Sequence, residues 1–145
     1  SIGTWASYSI SSAENMNVEN DFFLSTSIAE ADITLTDYYF PSSGELFTMD
    51  THTFELMLNY SYLVDLTLAT NVYNDSQYST YIQIAKEIDG LTLFVGGVAM
   101  ESDWYGTEEA AIIELGAKAT RGQFSVSYIL NPNEKKNYIT LVYSL

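Results

Sequence analysis

Every second connection in this chain is tight and every other one is a polar excursion, and this alternation constrains the fold more than any other feature. With strands taken by period-two hydrophobicity, the short links fall at Ala29-Glu30-Ala31, Tyr60-Ser61-Tyr62-Leu63, Ile88-Asp89-Gly90 and Thr120-Arg121-Gly122. The long links fall at residues 12–20, 41–50, 74–77, 101–107 and 131–137. Helical periodicity is weak throughout, Pro41 and Pro132 lie in links, and β-branched and aromatic residues fill the runs between. The chain therefore reads as all-β, an antiparallel up-and-down meander with tight turns at one end and loops at the other. Such segregation is how a transmembrane β-barrel looks in sequence, and a water-soluble meander has less reason for it.

The run 54–62 is the clearest strand: Phe54, Leu56, Leu58, Tyr60 and Tyr62 share one face, and Glu55, Met57, Asn59 and Ser61 the other. The next run opposes Val64, Leu66, Leu68 and Val72 to Asp65, Thr67, Ala69 and Asn71. Near the C-terminus Phe124, Val126, Tyr128 and Leu130 oppose Ser125 and Ser127, and Ile139, Leu141, Tyr143 and Leu145 oppose Thr140 and Ser144. Further strands near 3–11, 22–29, 32–40, 78–88, 91–100 and 110–120 bring the total to about ten in a single domain, 1–145, each about nine to eleven residues long, the length a tilted strand needs to cross a hydrocarbon core. The polar faces hold mostly Ser, Thr, Ala, Gly and Asn. A soluble barrel of this size carries Lys and Glu outside, so the expected arrangement has the apolar face toward lipid and the small polar groups within.

Charged residues reach only 17%, against roughly 25% in ordinary soluble domains, while hydrophobic residues make up 47%. With 19 acidic and 5 basic residues the net charge is −14, which excludes nucleic acid as a partner. The acids crowd the long links (Glu14, Glu19, Asp21, Glu45, Asp50, Asp75, Glu101, Asp103, Glu108, Glu109), forming a solvated rim. There is no cysteine, hence no disulfide framework, and no apolar run long enough for a transmembrane helix. Aromatics gather at strand ends (Tyr38, Tyr39, Phe40, Trp104, Tyr105, Tyr60, Tyr62, Tyr78, Tyr81), where they suit a headgroup zone. An even strand number puts both termini at the tight-turn end. The start at Ser1, already inside a strand, leads us to expect a processed chain lacking N-terminal strands.

No catalytic, cofactor-binding or metal-binding residue is expected. His52, the only histidine, reads as an exposed loop residue beside Asp50, with no nucleophile motif to serve. Glu101, Asp103, Glu108 and Glu109 lack the spacing of a calcium loop. Gly96-Gly97 within a strand marks a kink or close packing, and Asp89-Gly90 a hairpin. The residues expected to carry function are lumen charges. Glu114 and Lys118 face the same side of one strand, and that face meets Glu55, Asp65 or Glu87 from others. These charges either pair to stiffen a plugged lumen or set the selectivity of a pore.

The final run, Tyr138-Ile139-Thr140-Leu141-Val142-Tyr143-Ser144-Leu145, resembles the terminal strand of bacterial outer-membrane proteins, although those usually end in Phe. Gly3-Thr4-Trp5-Ala6-Ser7-Tyr8-Ser9, Leu35-Thr36-Asp37-Tyr38-Tyr39-Phe40-Pro41 and Val126-Ser127-Tyr128-Ile129-Leu130-Asn131-Pro132 together resemble the putative porins of the TorF type. That resemblance implies a Gram-negative outer-membrane location, the lipid bilayer as environment, and a porin-like pore or a structural barrel within an envelope complex. It also implies about twelve strands in the whole barrel, the rest supplied before Ser1 or by other outer-membrane proteins completing or flanking it. Gly3-Thr4-Trp5 also resembles the opening strand of lipocalins and fatty-acid-binding proteins, which implies as alternative a soluble barrel around a hydrophobic ligand. Residues 11–21 are too polar for the helical pair of fatty-acid-binding proteins, and basic residues to hold a carboxylate are scarce. A third class is an acidic adhesion protein whose loops bind a partner.

Overall fold

The computed structural model describes residues 1–8, 18–41 and 44–144. They form ten strands: β1 (Ile2–Tyr8), β2 (Val18–Ile28), β3 (Ala31–Tyr39), β4 (His52–Ser61), β5 (Asp65–Tyr73), β6 (Thr80–Ile88), β7 (Leu91–Val98), β8 (Ala111–Arg121), β9 (Phe124–Asn131) and β10 (Lys136–Tyr143). They make one antiparallel sheet in chain order, the expected meander, and no α-helix occurs among the described residues.

The connections alternate as the sequence implies. Two residues turn β2 into β3 and β6 into β7, three turn β4 into β5, and two turn β8 into β9. At Asp89 (φ 51°) and Gly90 (φ 83°) both turn residues are left-handed, the type I′ geometry that matches strand twist. At the other end, residues 40–51, 74–79 and 99–110 make longer excursions, but the link read at 131–137 shrinks to 132–135 because Asn131 and Lys136 pair as a rung of the ladder. The first long link, with Glu14, falls mostly on residues 9–17, and it lies, like Leu145, outside the described residues. β2 also starts earlier than the sequence suggested. Glu19 and Asp21 continue the alternation of Phe23 and Ser25, so the acids extend one face of the strand instead of ending it.

The exposure of the two faces is the reverse of a water-soluble sheet. Leu58 is 37% exposed and Leu68 39%, while their strand neighbours Glu55 and Asn71 are 4% and 1%. Leu24, Leu35 and Leu56 sit side by side across β2, β3 and β4, and Ile84, Val95, Leu115 and Leu130 across β6 to β9, all on the exposed face. Thr36, Glu55, Ala69, Asn71, Ala85 and Val98 are buried on the other.

A single sheet buries one face only by curling over it. The loop of residues 99–110 fills part of that concavity: Trp104 packs on Tyr38 of β3 at 5.5 Å and Tyr105 on Tyr81 of β6 at 5.9 Å, so strands three apart in the ladder meet one loop. Two register shifts sharpen the bend, at Phe54/Glu55 against β5 and at Gly96/Gly97 against β8. Gly97 has the backbone oxygen of Ala111 where a Cβ would stand, which accounts for the Gly-Gly pair read in the sequence. Along the ladder no described residue of β10 pairs with β1. Leu141 of β10 is accordingly 81% exposed, about twice as bare as the leucines of the inner strands.

Candidate functional site

The register assigns every strand residue to one face, and all five sequence-predicted charges, Glu55, Asp65, Glu87, Glu114 and Lys118, fall on the concave one. Glu55 stands opposite Asn71, Asp65 opposite Ala85, Glu114 opposite Gly96, and Thr92 lies between Glu87 and Lys118. They form two groups. Asp65, Glu87 and Lys118 are exposed at the tight-turn end, and Glu55 and Glu114 lie in the half nearer the loops.

Glu114 and Lys118 share the face but not a bond. Among the described residues the ion pairs are His52 with Asp37 and Lys136 with Glu134. Four residues along a strand is about 13 Å, with Lys118 at the rim. The Glu114 carboxylate instead accepts hydrogen bonds from the Tyr81 hydroxyl and the Gln83 amide. The Gln83 amide also donates to the Tyr81 oxygen at 2.9 Å. On the far side Tyr38 donates to Glu55 Oε1 at 3.0 Å.

Between these two carboxylates stands Tyr105, whose phenol is pushed up by burial and then by the negative charges of Glu55, Asp75 and Glu114. Asn71 donates through Nδ2 to Asp75 at 2.9 Å, but its Oδ1 has no partner. Asp21 Oδ1, on the same face one strand beyond Tyr38, is buried without a partner as well. The register places two cations on the concave face: Lys118 at the tight-turn end, and Lys136 beside the 132–135 loop, where its ammonium is bound by Glu134 at 2.7 Å. Among the described residues, the loop-side carboxylates Glu55 and Glu114 are thus bound by phenols and an amide and have no cationic partner.

Sequence reading missed several members of this cluster. Asp21 was placed in a loop, and Tyr38, Tyr81, Trp104 and Tyr105 were assigned to a headgroup zone. Their rings turn inward instead. The alternation Thr34, Thr36, Tyr38 carried the signal for the first of them, since Tyr38 is in phase with the polar residues.

His52 is neither exposed nor in a loop. It opens β4 on the convex face, 6% exposed, stacked on Tyr39 at 5.0 Å. Its partner is not the neighbouring Asp50 but Asp37 of β3, at 2.7 Å from Nδ1, and its Nε2 meets the Leu46 carbonyl at 2.6 Å. Among the described residues no three His, Cys, Asp or Glu side chains are grouped to hold a metal ion. No protein-family model, curated protein or solved structure matches the chain.

Proposed function

We propose that the chain is a β-barrel of the Gram-negative outer membrane that acts as a narrow, porin-like pore. One observation carries this reading: aliphatic side chains cover the exposed face of the sheet, while Glu55, Asn71, Thr36 and Asp21 are buried on the concave face. Water would drive the opposite arrangement, since burying apolar surface contributes about 25 cal/mol per Å² and burying unpaired polar groups costs free energy. Hydrocarbon outside removes the conflict.

The ends of the convex face support the same environment. Phe22, Phe54 and Tyr73 lie toward the loops, and Tyr60, Phe124 and Tyr143 toward the tight turns, bracketing the aliphatic band as aromatic girdles do. Lys86, a basic residue on the convex face near the tight turns, reaches to the Leu63 carbonyl in the turn before it, as a snorkelling lysine would. The likeness to TorF-type porins belongs to this proposal. A soluble carrier of the lipocalin type would need Leu56, Leu58, Leu66 and Leu68 around its ligand, and each of them is on the exposed face.

The test is refolding in the presence and absence of detergent or lipid. A monodisperse monomer in plain buffer would overturn the membrane reading. Protein that inserts into vesicles but conducts no ions is instead a structural barrel of an envelope complex.

A further inference from the structure

We propose that the concave channel passes small monovalent cations, K⁺ or Na⁺ and organic ammonium ions of similar size, in preference to anions. The inference rests on the pore reading above and adds the class of solute. Four carboxylates, Glu19, Asp21, Glu55 and Glu114, stand on the concave face in its loop-side half, and the one cation that the register places there, Lys136, is already paired with Glu134. The hydrogen bonds to Glu55 and Glu114 come from Tyr38, Tyr81 and Gln83, neutral donors that stabilise a negative charge without cancelling it. An ionised carboxylate in a wall with hydrocarbon behind it is stabilised by a counter-charge from the lumen.

A second feature points the same way without involving charge. Asn71 is 1% exposed, lies on the concave face opposite Glu55, and leaves its Oδ1 unpartnered, as Asp21 does one carboxylate oxygen. Both oxygens are acceptors. A hydrated cation, or water ordered around it, supplies what they lack, whereas an anion would meet only lone pairs. The acids are too dispersed to chelate, since no three of them are grouped as metal ligands. They form a diffuse negative field along the path, which favours passage over capture.

The full chain, refolded and inserted into a planar bilayer, tests this under a KCl gradient. Expected is a reversal potential on the K⁺ side of zero, with K⁺ several-fold more permeant than Cl⁻. Glu114→Gln and Glu55→Gln should each reduce that ratio. Because Glu55 is buried and its variant can misfold, the wild-type sign decides alone. A conductance without selectivity, or one favouring Cl⁻, overturns the inference and leaves the pore standing. Inserted protein with no conductance overturns both the inference and the pore, and leaves the membrane barrel.

Discussion

Asp75 shows how much one loop carboxylate organises at the mouth of the concavity. It accepts from the backbone N–H of Gln77 and of Ser79, each at 3.0 Å, and from the Asn71 amide. Burial alone would raise its pKa, but these hydrogen bonds outweigh that effect and hold it below the usual carboxylate value. A depressed folded pKa contributes stability that is complete above the unfolded value and is lost as pH falls through the folded one. The wild-type protein should therefore lose stability below about pH 4. Asp75→Asn should be weaker at neutral pH by about 1–2 kcal/mol, with a flatter acid limb. Urea titration of the vesicle-inserted protein at pH 3 to 7 measures both. Parallel acid limbs would show that Asp75 contributes nothing to the pH dependence. His52 acts through geometry: its two ring nitrogens meet the Asp37 carboxylate and the Leu46 carbonyl, tying the loop before β4 to β3. Protease cleavage after the exposed Phe47 should therefore quicken in His52→Ala. Equal rates in both proteins would remove His52 as the clasp.

At the level of elements, the Gly96-Gly97 bulge is the place where the sheet is bent by design. A methyl group at Gly97 would run into the Ala111 carbonyl oxygen, a backbone atom that cannot rotate away. Gly97→Ala should therefore cost about 1–3 kcal/mol, more than an alanine at an open strand position, and the folded fraction at a fixed urea concentration should diminish accordingly. An unaffected folded fraction would mean that the bulge relaxes. The strands themselves were legible because alternation is a local property: β4, β5, β9 and β10 read directly from their apolar phases. Less legible were the places where a polar residue serves the concave face at a strand end. Asp21 looks like loop chemistry and Tyr38 like an interfacial aromatic until register shows what each one faces. The His52–Asp37 pair spans fifteen positions and exists only because β3 and β4 align Asp37 beside the start of β4. No local pattern encodes that alignment. Glu55 and Glu114 were legible as lumen charges, but the phenols that bind them were not, since pairing partners depend on which strands curl toward the same loop.

For the whole molecule, the open seam sets the remaining condition. β1 and β10 each present one edge without a partner among the described residues, and hydrocarbon offers no hydrogen bonds to unpaired N–H and C=O groups. Ten is an even number, so these two edges run in opposite directions and match as an antiparallel pair. Face parity narrows the register further. Gly3, Trp5 and Ser7 of β1 face the concavity, and so do Tyr138, Thr140 and Val142 of β10, so odd positions of the first strand oppose even positions of the last. On the membrane reading proposed above, either these edges join each other directly, ten strands exceeding the eight of the smallest bacterial barrels, or the further strands that the sequence led us to expect stand between them. The chain has no native cysteine, so a single engineered pair reports the junction cleanly. Thr4→Cys with Leu141→Cys places both thiols on the convex face in a permitted register. Oxidation after insertion should give a cross-linked monomer that migrates faster than its reduced form, and shifting the second cysteine to Val142 should abolish it, since that residue faces inward. A cross-linked band of twice the mass would mean that two copies share the seam in one larger barrel. No cross-link from Thr4 to Ile139, Leu141 or Tyr143 would mean that other strands stand between them.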